Sequence, residues 1–163
     1  MFAWATRLFA KPAPVPPVRM NDPDFGLIAW DAQFVNWTME DTWALASQPE
    51  PVRCIEIPGG RDGPSPAARA FLLDLKARPE RAWACADATL LAVMAERPRL
   101  RGQSPRDVFH IEFLGMDGEA GPEWAVGLEA RDADEWLEIH LDLVGDAVVR
   151  KTMHVDPVEP GDA

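Results

Sequence analysis

Six polar side chains toward the carboxyl end of the chain have residue types and spacings that could do chemistry. They are His110, Glu112, Glu138, His140, Asp142 and His154. Imidazoles and carboxylates can bind zinc or exchange protons near neutral pH. Side chains two apart on a strand point to the same side, so the same spacing also describes the solvated face of an ordinary antiparallel sheet. Both interpretations stay open; we favour the second and assign no catalytic, cofactor-binding or metal-binding residue.

Two further motifs lack the partner residues that their chemistry needs. His110-Ile111-Glu112 resembles the histidine and glutamate of zinc deaminases, but the P-C-x-x-C half of that signature is absent. Residues 59–63 read Gly-Gly-Arg-Asp-Gly and precede a predicted helix, as an anion-binding loop would. They match neither the G-x-x-x-x-G-K-[ST] nor the G-x-G-x-x-G pattern, so we predict a flexible turn and no cofactor.

The charge of the chain restricts its partners. The formal net charge is −11, which repels nucleic acid and favours a basic or neutral protein partner. Residues 117–146 contain ten carboxylates and one cation, Arg131, and therefore predict a negative surface. We expect a protein partner to contact this surface through Glu129, Asp132, Asp134 and Glu135.

A short basic stretch interrupts this acidic chain. Residues 97–106 contain four arginines and no acid. The stretch could contact an anion or a partner, but cations are also common where a helix ends, and we favour that second interpretation.

Two features bear on the compartment. Cys54 and Cys85 each lie in an apolar stretch, which is typical of buried thiols and not of a secreted disulfide framework. No apolar run is long enough to span a bilayer, and no signal peptide is recognisable, so we expect a cytoplasmic protein. Residues 1–11 form an amphipathic segment, and the Pro-rich residues 12–17 predict a stiff spacer. A weak contact of residues 1–11 with a membrane, a partner or the domain itself stays open.

Hydrophobic periodicity predicts the elements. Strands are expected at 25–31, 34–38, 42–47 and 52–57. Ser65 and Pro66 have the chemistry of a helix start, and two helices are predicted, one over 67–77 and one from Pro79 to Pro98. Further strands are expected over 109–113, where Phe109, Ile111 and Phe113 face the core, and over 124–128, 137–143 and 148–155.

The faces of the last two strands indicate their register. A three-residue loop would pair Leu143 with Val149 and Ile139 with Met153, which keeps apolar residues on one side, although Gly145 would then be first in the loop. The predicted fold is α+β. It is a mainly antiparallel sheet, with N-terminal hairpins and a C-terminal four-strand meander, and two central helices pack on one face. We predict an N-terminal segment and linker at 1–21, one domain at 22–156 and a disordered tail at 157–163.

The opening of the predicted domain carries a resemblance to a known group. Residues 22–31 read Asp-Pro-Asp-Phe-Gly-Leu-Ile-Ala-Trp-Asp and are followed by Trp37. They resemble the start of small uncharacterised bacterial domains that begin D-P-x-F-G-x-L-x-W-D, and residues 136–155 resemble the final strands of those domains. Some such families are similar to immunity or accessory proteins of bacterial toxin systems. The resemblance implies a fold and a binding role, and supplies no catalytic residue.

Three functions are consistent with these observations. The first is a non-enzymatic acidic protein-interaction domain, immunity-like in its role. The second is a small metal-dependent or acid–base enzyme centred on His110 and His140. The third is a peripheral membrane or assembly factor tethered by residues 1–11. We expect the first, and the sequence leaves the partner and the oligomeric state undetermined.

Overall fold

The computed structural model describes residues 17–116, 118, 123–133 and 135–158. The strands are β1 (Arg19–Asp22), β2 (Gly26–Asp31), β3 (Asn36–Met39), β4 (Cys54–Gly60), β5 (Gly63–Pro64), β6 (His110–Met116), β7 (Glu123–Asp132), β8 (Glu135–Val144) and β9 (Ala147–Pro157). The helices are α1 (Pro66–Ala77), α2 (Glu80–Ala95) and the short α3 (Pro105–Val108). None of the helices within these ranges has the length and apolar character needed to cross a membrane. The predictions for residues 1–11 lie outside the described residues.

The fold is a mixed α+β arrangement built on one large, mostly antiparallel sheet. Within the described residues this sheet has nine strands, in the order β1-β2-β3-β4-β6-β7-β8-β9, and β5 pairs with β4. Every pair among these described strands is antiparallel except β4 with β6. Parallel neighbours require a long crossover connection, and the helices form it here.

The two long helices lie where the sequence predicts them, although α2 ends at Ala95, before Pro98, and the short α3 was not predicted. Ser65 caps α1, because its side-chain oxygen accepts a hydrogen bond from the backbone N–H of Ala68. Both long helices bury an apolar stripe against one face of the sheet, and the ring of Phe71 lies 5.5 Å from that of Trp124. The opposite face of the sheet, which we call the open face, is therefore the side on which polar residues collect.

Two predicted features of the N-terminal half differ from the structure. The sheet begins at Arg19, because β1 pairs with β2 ahead of Asp22. Residues 42–47 do not form a strand, and a single bridge joins Trp43 to Val52. Pro49 and Pro51 lack the N–H groups that a second strand would donate, so the chain turns instead and buries Trp43 against Phe25.

The last hairpin combines the two registers that its sequence allows. Gly145 has a φ of 61° and begins a two-residue turn, so Leu143 pairs with Val148 and not with Val149. A β-bulge at Val149 then restores the predicted register, in which Ile139 pairs with Met153. The prediction was wrong only at the tip, because a bulge can absorb one residue without turning the strand over.

The Asp-Pro-Asp-Phe motif has a structural role in the described fold. Asp22 is buried and accepts hydrogen bonds from the backbone N–H groups of Asp24 and Phe25. Arg69 of α1 pairs with both Asp22 and Asp24 and lies over the Phe25 ring. Burial by itself would raise the pKa of Asp22, but the hydrogen bonds from Arg69 and the backbone outweigh it and hold that pKa below its ordinary value of 3.8. This cluster joins the first hairpin to the helical layer.

Replacing Asp22 with asparagine should therefore lower the free energy of unfolding by roughly 2 kcal/mol at neutral pH, because it removes charge-assisted hydrogen bonds. A carboxyl whose folded pKa is lowered stabilises the protein above its unfolded pKa, and this contribution disappears as the pH falls through the folded value. The difference between wild type and Asp22→Asn should therefore shrink below about pH 4. Urea denaturation at several pH values measures this. Asp74→Asn, which removes an exposed ion pair with Arg78, is the control and should change little.

Candidate functional site

Cross-strand rows of side chains build the open face. One row contains His110, Glu129, Glu138 and His154, and the next contains Phe113, Gly127, His140 and Thr152. A third row runs from Glu56 through Gly115 and Ala125 to Asp142 and Arg150. The two smallest residues lie in the middle of this third row, so the face is hollow there.

A β-bulge in β6 determines what lies on this face. Glu112 is the extra residue, since Ile111 pairs with Leu128 and Phe113 pairs with the next residue along, Gly127. The predicted alternation from Phe109 through Ile111 to Phe113 is therefore wrong at its last position, and Phe113 lies on the open face. The backbone N–H of Arg53 donates to the Glu112 carbonyl at 2.9 Å, which holds the bulge against β4.

Glycines make room for the displaced Phe113 ring. A Cβ on Gly127 would lie 2.8 Å from Phe113 Cβ, and one on Gly115 would lie 2.7 Å from Phe113 Cζ. Only glycine allows the ring to lie flat across both strands. The other side of the ring packs near the imidazole of His140, with ring centroids 5.2 Å apart.

A groove of about 760 Å³ crosses this part of the open face. Its floor is formed by Phe113, Gly115 and Ala125, and its two rims come from the β2–β3 loop and from the end of the β8–β9 hairpin. The charged and imidazole groups that line it are Glu56, Glu123, His140, Asp142 and Arg150. Asp142 pairs with Arg150 within this lining, and the charges of Glu56 and Glu123 remain, so the groove favours a ligand that carries positive charge.

Two polar groups at the β3–β4 end of the groove are removed from solvent to different degrees. Asn36 is only 8% exposed, and its side-chain oxygen Oδ1 has no hydrogen-bond partner among the described residues. Glu56 is half-buried, and burial raises its pKa; nearby Asp31 adds to the increase, whereas His140 opposes it. A carboxyl with a raised pKa in a cleft, next to a buried acceptor without a donor, is typical of a binding or catalytic site.

The rim of the groove exposes apolar side chains, and one of its residues has a strained backbone conformation. Phe34 is 66% exposed and Val35 59% exposed in the β2–β3 loop, and Val149 is 61% exposed opposite them. The Asp31 side chain accepts the N–H groups of Gln33 and Phe34 and so shapes the loop. Val35 has a φ of 56°, a left-handed conformation that β-branched residues rarely adopt. An exposed valine at a position suited to glycine or asparagine is costly for folding, which points to a role in binding.

The histidines predicted as a candidate site do not converge on one centre. His110 Nε2 lies 3.3 Å from Glu129, and His140 Nε2 lies 3.3 Å from Asp142. His154 lies at the edge of the sheet, opposite Glu138. Within the described ranges, no group of three or more histidine, cysteine, aspartate or glutamate side chains is placed to hold a metal ion.

The predicted acidic surface is largely engaged in internal ion pairs. Glu129 pairs with Arg53, and Arg97 pairs with Asp132 at 3.1 Å and with Glu135 at 2.9 Å. Asp134 lies outside the described residues. These carboxylates therefore have partners within the chain, and their contact with a partner protein stays a prediction.

The basic stretch 97–106 also has structural partners. Arg101 donates to the Ala95 carbonyl at the end of α2, and Arg106 lies over the Trp83 ring. The Arg101 contact matches the helix-end interpretation, whereas Arg106 packs on a ring near the start of α2.

The two cysteines are free thiols on different layers, with Cys54 on β4 and Cys85 on α2. Burial, with the nearby carboxylates of Glu56 and Glu112, raises the pKa of Cys54 to about 11. Its thiol is therefore protonated and unreactive at neutral pH.

Sequence reasoning identified His140 and Asp142 but missed Val35, Asn36, Glu56 and Phe113. A usable signal was present in Gly115 and Gly127, because glycine inside a strand pattern marks a bulge or a close approach. No family model, curated protein or solved structure matches this chain. The resemblance of residues 22–31 to a bacterial domain family therefore stays a prediction.

Gly127→Ala should destabilise the protein by about 1–3 kcal/mol, because the new methyl group meets Phe113 Cβ, which no side-chain rotation can move. In a Phe113→Gly background the same change should be neutral or stabilising, since glycine removes the Cβ that the new methyl group meets and alanine at 127 reduces the entropy of the unfolded chain. A double-mutant cycle measured by urea denaturation checks this. Equal losses in both backgrounds would contradict the packing of Phe113 on the open face.

Val35→Asn should raise the free energy of unfolding by roughly 1 kcal/mol, because asparagine tolerates the left-handed conformation that strains valine. Ala133 offers a matched control, since it has a φ of 58° in the β7–β8 loop, and it does not line the groove. Ala133→Asn should also stabilise the fold, though by less, since alanine is not β-branched. Thermal or urea denaturation of both variants measures these changes, and a destabilised Val35→Asn protein would contradict the prediction.

Proposed function

We propose that this protein is a non-enzymatic interaction domain that binds a basic segment of a partner protein in the groove of its open face. One observation carries the proposal: the groove joins exposed, strained apolar rims to an acid-rich lining. Apolar rims supply binding energy when a partner covers them, and carboxylates select for positive charge. The net charge of −11 supports the same class of partner by steering it toward the domain.

In this proposal the partner contacts the groove and not the acidic surface that the sequence predicts as the contact. Glu129, Asp132 and Glu135 are held by arginines of the same chain, so breaking those pairs would oppose binding. At the groove, Asn36 has an unpartnered side-chain oxygen and Glu56 is partly desolvated, and a partner can supply interactions to both. In the immunity-like form of the proposal, the partner is a toxin enzyme with a basic surface.

The binding proposal can be tested by selecting random displayed peptides on the immobilised protein. Enriched peptides should combine arginine or lysine with a bulky apolar residue, and each should bind the Val35→Asn and Glu56→Gln variants at least about fivefold more weakly than wild type. Ala133→Asn and Glu138→Gln are the matched controls, because they introduce the same residues away from the groove, the first at another left-handed position. Peptides that bind all four variants as tightly as wild type would contradict a groove-centred function.

Acid–base catalysis is a second candidate, because Glu56 has a raised pKa and lies in the same groove as His140. Mass spectrometry of the selected peptides after prolonged incubation separates the two functions. Unchanged peptides support a binding domain, whereas cleaved or modified peptides whose conversion requires Glu56 and His140 support an enzyme.

A further inference from the structure

The β3–β4 end of the groove has features that define the chemistry of one recognised group. Asn36 and Glu56 are diagonal neighbours on adjacent strands, since Asn36 pairs with Pro58 and Thr38 pairs with Glu56. Diagonal neighbours on a sheet lie about 7–8 Å apart, so their oxygens can approach one small group from two sides. Both side chains line the groove.

The unpartnered oxygen of Asn36 indicates a hydrogen-bond donor in the ligand. Its Oδ1 is buried and accepts nothing within the described chain, although buried acceptors are satisfied in most proteins. A donor that enters the groove would remove this penalty once the Asn36 amide rotates to turn Oδ1, which solvent does not reach, toward the groove. The Glu56 carboxylate beside it favours a donor that is positively charged.

Phe113 adds a third contact of a different kind. The far end of its ring lies beside Gly115, which pairs with Glu56 across the parallel strands. A planar cation placed between Asn36 and Glu56 would therefore also lie near an aromatic face. An ammonium group is a compact point charge, whereas a guanidinium is flat and presents five donors in a fixed fork.

We propose that this end of the groove is a recognition pocket for the guanidinium group of an arginine side chain. The amide oxygen of Asn36 and the carboxylate of Glu56 accept its N–H groups, and the Phe113 ring packs beside its plane. The pocket rests on the proposed function, since the arginine belongs to the bound segment of a partner protein. Phe34 and Val35 on the rim then contact the apolar residues that flank this arginine in the partner segment.

The test uses small probes and the full chain. The probes are N-acetyl-arginine methylamide, its neutral analogue with citrulline in place of arginine, and the corresponding lysine compound. Titrations followed by ¹H–¹⁵N NMR should shift the side-chain amide of Asn36, with affinity in the millimolar range. The arginine probe should bind at least about tenfold more tightly than the citrulline probe, since one charge-assisted interaction is worth that much. It should also bind more tightly than the lysine probe.

Substitutions then assign the contacts. Glu56→Gln should weaken the arginine probe about tenfold and leave the citrulline probe unchanged. Asn36→Leu should weaken the arginine probe by about fivefold while the folded protein stays at least as stable, because the unmet oxygen is gone. Asn36→Ser is a second variant in case leucine disturbs the strand. Glu138→Gln, on the same face outside the groove, is the control and should bind as wild type does.

Two results with the small probes would overturn the pocket. One is equal affinity for the arginine and citrulline probes, and the other is arginine binding that survives Glu56→Gln. Selected peptides that depend on Val35 and contain no conserved arginine would also overturn the pocket, yet would leave the proposed interaction function standing. Failure of the proposed function itself would appear as selected peptides that bind the groove variants as tightly as they bind wild type.

Discussion

The β-bulge at Glu112 is the constraint on which the open face depends. Without it, strict alternation would send Phe113 into the core and Leu114 to the open side. With it, Leu114 is buried beside Ile55, and Phe113 lies over the two glycines that form the floor of the groove. Because β6 is also one member of the single parallel pair in the described sheet, the bulge lies where the helical crossover joins the two antiparallel halves. One inserted residue therefore fixes both the core packing and the shape of the groove.

Three energetic costs lie around this groove. Elsewhere, Asp22 is satisfied by Arg69 and two backbone N–H groups and Glu129 by Arg53 and His110, although the buried Nε1 of Trp43 has no hydrogen-bond partner among the described residues. At the groove, Val35 has an unfavourable backbone conformation, Asn36 buries an unmatched oxygen, and Glu56 is partly desolvated. In natural proteins, local conformation, hydrogen bonding and burial usually all favour the native fold. Unfavourable features that cluster at one place are therefore expected of a binding site. This clustering is a stronger functional argument than any of the three features alone.

Hydrophobic periodicity predicted most elements, because α1, α2 and β8 each bury one clean stripe. It failed at Trp43, where prolines prevented a second strand, and at Phe113 and Val149, where bulges shift the pattern by one residue. Bulges depend on pairing between strands distant in sequence, so local patterns carry little information about them. The candidate site was missed for the same reason. Asn36, Glu56 and Asp142 come from three separate segments, and only the strand order brings them to one face.

Charge and shape have separate roles in this protein. Much of the acidic surplus near the carboxyl end is used within the chain, where Arg97 and Arg53 hold Asp132, Glu135 and Glu129 in place. Such pairs fix the geometry of strands and helix ends but offer a partner little. The remaining net charge acts at long range and raises the encounter rate of basic molecules without selecting among them. Selection must then come from short-range features, and in the described part of the chain the groove is where desolvated carboxylate, unmet acceptor and exposed apolar rim coincide.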